Sequence, residues 1–435
     1  MLFAACGDDD DASEDTPAPT EAAETTAGTD APATTAAAET TAPASTDAPE
    51  TTEAAADPLG TPTPAEGEPV KIGLITESGG EAISSQSELT ETGAQIAVEY
   101  VNEYRGGLAG RPIELVMCGN KASASGASDC ANQMVEQDVA AVVWPFTGFG
   151  PQQVPIITGA GIPIVAVSGS STEELTSPNV FIITGGYVGT LGAYAQHAKD
   201  NGVAKFSMIT IDVPSATQAA EGIGSIVFGN AGVEYSVVKV APGTPDFTAQ
   251  VQAAVSDGAT ALGVTGDVTF CTSFFQAYQA LNLDIPKYII QPCIDPTVIE
   301  SLGSILDGSI LATVSGEGDD TAIYGAMVEK YGDDVDPNPS ISAGVAAGVS
   351  AIMNLWNLMD GVEGDVTAEV VLNQAKAASD VPMWNSGGLT FTCDGSAIPL
   401  LPNLCSAQFQ IGTVDESGAV SGLEPVDASA LFVTG

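Results

Sequence analysis

Between residues 70 and 314 the sequence alternates short apolar runs with longer amphipathic ones, and few folds accommodate that rhythm. Nearly continuous runs rich in β-branched residues occupy 70–76, 113–118, 139–144, 162–168, 206–211, 235–240, 260–265, 288–291 and 310–314. Runs of this kind, apolar on both faces, are expected of parallel strands covered on both sides by helices. Between them, helices are expected at 88–104, 125–137, 188–201, 215–229, 246–257 and 272–281, the first burying Ile96, Val98, Tyr100 and Val101. Strand–helix alternation on this scale reads as α/β, with doubly wound parallel sheets. Nine strands exceed one modest sheet, so two sheets are expected. After residue 314 come helices at 321–331, 341–359 and 367–378, then a hairpin pairing 389–393 with 407–411.

Charge divides the chain. Sixteen of its 56 acids lie between Asp8 and Glu68, a stretch without Lys or Arg and otherwise built from Ala, Thr, Pro, Ser and Gly, with Leu59 its only larger apolar residue. Such a composition cannot offset the entropy of ordering, so residues 7–69 are expected to form a disordered acidic tether. The remaining 40 acids face 10 bases, which argues against a nucleic-acid partner and against an anionic membrane surface. No apolar stretch is long enough to span a bilayer.

Cys6 follows Leu2-Phe3-Ala4-Ala5 and precedes Gly7 and four Asp. This arrangement resembles the lipobox of bacterial lipoproteins, which implies residues 1–6 as the end of a signal peptide and a lipid on Cys6. An ordinary N-terminal Cys is the other reading. Six further cysteines form local pairs, Cys118 with Cys130, Cys271 with Cys293 and Cys393 with Cys405. An even count on the secreted side points to disulfides; six allow 15 connectivities, and the place of each pair in the strand–helix pattern favours local bonding. Zinc is poorly supported, since no Cys-x-x-Cys occurs and His197 is alone. Asp334, Asp336 and Asn338 have calcium-loop spacing, but Pro339 stands where that loop needs Gly and Val345 where it needs Glu. No metal and no cofactor are expected.

Several segments carry a more specific resemblance: Val70-Lys71-Ile72-Gly73-Leu74-Ile75-Thr76, then Gly93-Ala94-Gln95-Ile96-Ala97-Val98, then Gly106-Gly107-Leu108-Ala109-Gly110-Arg111-Pro112. Gly161-Ile162-Pro163-Ile164-Val165, Pro245-Asp246-Phe247-Thr248 and Gly388-Leu389-Thr390-Phe391-Thr392-Cys393 follow in order. The chain resembles type I periplasmic binding proteins of the branched-chain amino-acid type, the extracytoplasmic receptors of ABC importers. The resemblance implies two doubly wound lobes joined by three crossings, with ligand in the cleft between them. One lobe would be 70–185 with 316–388, the other 186–315 with 389–435.

Ligands of such sheets lie at the carboxyl ends of strands. That places the site in loops 77–86, 147–150 and 168–172 of one lobe and 212–215, 266–269 and 292–295 of the other. In the family, the loop matched by Ser168, Ser170, Ser171 and Thr172 holds the ligand carboxylate at a helix start; an ordinary Ser/Thr cap is the alternative. Thr147, Gly148 and Phe149 match the neighbouring loop, with Phe149 either a pocket wall or a packing residue. Two departures affect specificity. Cys293 replaces the family's ammonium-binding acid, and Ser84 and Ser85 stand where an aromatic would cover the ligand. Asp212 and Asp267 are candidates for the missing acid, or else turn and cap residues. The expected ligand is a small zwitterionic or polar amide-like solute.

These readings imply a monomeric receptor, extracytoplasmic and held at the membrane only by a lipid, that delivers its solute to an ABC permease. A sensing receptor of the same fold and a structural surface lipoprotein are the alternatives. An enzyme is not expected, because no Gly-x-Ser-x-Gly, phosphate-binding loop or His-Glu-x-x-His occurs.

Overall fold

The computed structural model describes residues 57–79, 84–316, 318–337 and 343–433. The expected signal remnant with Cys6 and residues 7–56 of the expected tether lie outside them, as do Asn338 and Pro339.

Residues 57–69 differ from the tether expected there. Leu59 is buried, and the backbone N–H groups of Thr63 and Ala65 donate to the carbonyls of Glu103 and Asn102 at 2.9 and 2.8 Å. Those carbonyls close the helix Ser84–Tyr104 and have no partner within it, so the segment supplies what the helix end lacks.

The first sheet contains β1 (Val70–Thr76), β2 (Ile113–Gly119), β3 (Ala141–Trp144), β4 (Ile164–Ala166) and β5 (Val180–Ile182), all parallel, in the order β2-β1-β3-β4-β5. Every residue of β3, β4 and β5 is buried, as their unbroken apolar sequences require. The second sheet holds β6 (Lys205–Ile211), β7 (Glu234–Val240), β8 (Ala261–Thr265), β9 (Lys287–Ile289) and β10 (Ser309–Thr313), parallel to one another. A short pair, β11 (Val381–Pro382) and β12 (Thr390–Phe391), forms its own two-stranded sheet. Finally β13 (Gln408–Val414) and β14 (Val420–Asp427) extend the second sheet antiparallel, giving β14-β13-β10-β9-β8-β6-β7.

The expected two-lobed α/β architecture is present. The chain passes between sheets after β5, after β10 and before β13. The last passage differs from the expected boundary at residue 388. Leu389, Phe391, Cys393 and Cys405 are buried in the first lobe's core, and Leu404 bridges to Ile182 of β5, so the chain leaves that lobe near Ser406. The expected hairpin also differs: Thr390 and Phe391 pair with Pro382 and Val381, while 408–414 joins β10. A three-residue strand after Asn179 and the Gly- and Pro-containing edge strand β14 were not expected from sequence.

Two glycines set the first lobe's helix packing. A Cβ on Gly93 would stand 2.0 Å from the Val345 carbonyl oxygen, and one on Gly348 would stand 2.0 Å from that of Thr90. The helices Ser84–Tyr104 and Ala343–Leu358 therefore cross with their backbones in contact. All three expected disulfides form, with Cα–Cα separations of 5.5 Å for Cys118–Cys130, 5.2 Å for Cys271–Cys293 and 4.4 Å for Cys393–Cys405. No helix among the described residues is long and apolar enough to cross a membrane.

Candidate functional site

At the end of β1, the loop is fixed by two carboxylates. Glu91 Oε1 accepts from Thr76 Oγ1 at 2.6 Å and Ser78 Oγ at 2.5 Å. Glu77 turns towards the loop after β3, where its Oε1 accepts from Gly148 N at 2.7 Å. Thr147 is buried, donating to Gln153 Oε1 at 3.0 Å and accepting from Phe149 N at 3.1 Å. Phe149 is half-buried, whereas Phe146 in the same loop is 53% exposed, a large apolar ring standing in solvent at a strand's carboxyl end.

The loop after β4 has its own anion. Ser171 caps the short helix Thr172–Thr176, and Glu174 completes a capping box. Glu174 Oε2 accepts from Ser170 N at 3.2 Å, Ser171 N at 3.0 Å and Ser171 Oγ at 2.7 Å. Glu174 is fully buried, and burial raises its carboxyl above the ordinary range against the lowering effect of the Ser171 and Ser170 bonds. A Cβ on Gly150 would lie 2.2 Å from Ser171 Oγ, so that hydroxyl faces the lobe's interior. Ser168 and Ser170 are half-buried and Thr172 is exposed. Ser85 lies in the first turn of Ser84–Tyr104, and its side chain is outside the described residues.

In the second lobe, Asp212 follows β6 and is exposed. Asp267 follows β8 and caps Val268–Ala280, its Oδ1 accepting from Phe270 N at 2.8 Å. Cys293, where the family resemblance led one to look for an acid, is buried in its disulfide.

The first crossing brings these loops together. A Cβ on Gly186, at φ +53°, would stand 3.0 Å from Ser168 Oγ at the end of β4. The next residue, Tyr187, places its buried hydroxyl beside Thr210 and Thr265 near the ends of β6 and β8; burial pushes it up to about 12. Within two residues, therefore, the chain touches the carboxyl ends of both sheets.

Sequence reasoning passed over Glu77, Phe146, Glu174 and Tyr187. Two of them had a signal: Phe146 stands just past a buried strand, after Pro145, and Ser171-x-x-Glu174 has capping-box spacing. No group of acids, His and Cys among the described residues could hold a metal ion.

A family profile described as periplasmic binding protein matches residues 69–404. No curated protein matches significantly. Among solved structures, the leucine-binding protein LivK from Thermotoga maritima is 21% identical with a TM-score of 0.63, covering 82% of this chain and 99% of its own. LivJ from Streptococcus pneumoniae, solved with isoleucine, is 18% identical at a TM-score of 0.63, covering 82% and 99%. An ABC transporter substrate-binding protein from Desulfitobacterium hafniense, solved in complex with Leu, is 14% identical at a TM-score of 0.62, covering 82% and 100%.

Proposed function

This chain belongs to the periplasmic binding protein family, and on that premise we propose that it is the extracytoplasmic solute receptor of an ABC importer. It binds an amino acid or related small polar solute between its lobes and hands it to a membrane permease. The observation that carries this reading is the meeting of strand ends at Ser168, Gly186 and Tyr187. A solute held there touches both lobes and stabilises their closed arrangement, shifting an equilibrium between open and closed forms.

The passages after β5, after β10 and near Ser406 act as the hinge. Lipid on Cys6 and the acidic stretch 7–56 keep a monomeric receptor near its permease at high local concentration. The ligand contacts come from Ser168, Ser170 and Phe149 on one side and Asp212 and Asp267 on the other.

Thermal unfolding of the whole protein against amino acids, amides, ureas, polyamines and organic acids tests the reading. A ligand at about 100 times its dissociation constant adds roughly 2.7 kcal/mol, and small-angle scattering should show the molecule contract. Stability and radius that stay unchanged across the panel would leave a structural surface protein instead.

A further inference from the structure

We infer that the cleft selects an organic cation, a small amine or quaternary ammonium with an apolar portion, rather than a free carboxylate. This rests on the proposed use of the inter-lobe cleft as the ligand site.

Four donors of the loops that would receive a ligand carboxylate are already engaged by the protein's own. Glu174 Oε2 takes Ser170 N, Ser171 N and the Ser171 hydroxyl, and Glu77 Oε1 takes Gly148 N. A ligand anion seated there would displace Glu174, which is fully buried, and strand it without those partners. It would also bring a further negative charge against two existing ones.

The same geometry suits a cation. The exposed ring of Phe146 lies two residues before Gly148, whose N–H holds the Glu77 carboxylate of the loop after β1, so the loop after β3 carries an aromatic ring and binds its neighbour's carboxylate. Cations bind both, and the apolar part of an amine covers a ring that otherwise stands in water. Asp212 and Asp267 add negative charge after β6 and β8.

Four bases stand at the other end. Lys71, Lys205 and Lys287 stand in the opening residues of β1, β6 and β9, and Lys199 in the last turn of Gly186–Asp200. At the carboxyl ends, Lys239 is paired with Glu221 at 2.8 Å. Lys121 follows the edge strand β2, separated from β3 by β1. A cleft lined by one sign of charge concentrates ligands of the opposite sign.

The test uses the full chain and calorimetric titration with isoamylamine, leucinamide and choline against leucine, isoleucine and succinate. The leucine set shares one alkyl chain and varies the carboxylate. At least one cationic probe should bind at least tenfold more tightly than leucine. Glu77→Gln keeps an acceptor for Gly148 N, so its melting temperature should not move, while affinity for that probe should fall about tenfold. Phe146→Ala should also cost about tenfold.

Tighter binding of leucine, isoleucine or succinate than of the cations overturns this inference and leaves the receptor reading standing. Undiminished cation affinity in both variants overturns it too. Silence from all six probes overturns it as well, and the wider panel and scattering measurement above then decide the receptor reading separately.

Discussion

Glu174 and Ser171 hold each other from both directions. Ser171 donates its N–H and hydroxyl to Glu174 Oε2 at 3.0 and 2.7 Å, and Glu174 N donates back to Ser171 Oγ at 3.2 Å. The carboxyl is fully buried. With its folded-state pKa above the ordinary 4.5, the folded protein binds this proton more tightly than the unfolded chain does. The contribution of Glu174 to stability therefore declines as pH rises from about 4.5 through the folded value. Glu174→Gln retains an acceptor oxygen, and urea unfolding from pH 4 to 7 should show that decline absent relative to the parent. Glu174→Ala, which strands two N–H groups, should lose about 2–4 kcal/mol.

Gly93→Ala should be strongly destabilising. Its new Cβ would lie 2.0 Å from a main-chain oxygen of Val345, which cannot rotate away as a side chain could. Forcing the two helices apart costs about 1–3 kcal/mol or more, measured as a fall in the thermal midpoint. Gly361→Ala makes the comparison: at φ +74° it is strained, but no atom lies within 4 Å of its Cβ. Its loss should be smaller, the cost of backbone conformation alone.

The Cys271–Cys293 bridge ties the helix after β8 to the turn after β9 across a sequence separation of 22. Replacing both cysteines by Ser should lower stability by about 3 kcal/mol in the loop-entropy estimate. Because the bridge joins two strand-end loops of the second lobe, ligand affinity should weaken along with it. Denaturant unfolding and titration on the same variant check both outcomes.

His197 gives a pH dependence of the opposite sense to that of Glu174. Its Nδ1 lies 3.0 Å from Tyr288 Oη, and burial lowers its pKa below the ordinary 6.5, partly opposed by Asp200 and Glu424. A depressed histidine contributes stability above 6.5, and that contribution is lost as pH falls through the folded value. The stability difference between the parent and His197→Gln should accordingly shrink between pH 7 and 5.

Much of the fold is legible in the residues because the signals are local. The runs at 70–76 and 206–211 are strands within one residue of expectation, and all three cysteine pairs bond as their positions suggested. What escaped has weak local signals. Helix Gly150–Gly159 contains Pro151 and Pro155, and β14 contains Gly422 and Pro425. Pro and Gly argue against a helix or a central strand, but β14 is an edge strand held by its antiparallel pairing with β13.

The site divides along the same line. Which loops bear hydroxyls and acids follows from the order of residues, since each strand end is marked by where an apolar run stops. Which of those groups are free is a different matter. Glu77 and Gly148 are 71 positions apart, and their bond ties a carboxylate of the loop after β1 to the loop that bears Phe146. Periodicity reports a residue's own element, whereas hydrogen bonds between loops depend on how separate strands are laid side by side. The lobes and their disulfides are thus written in the local pattern, while the charge a ligand meets was decided only when the fold brought the loops after β1, β3 and β4 together.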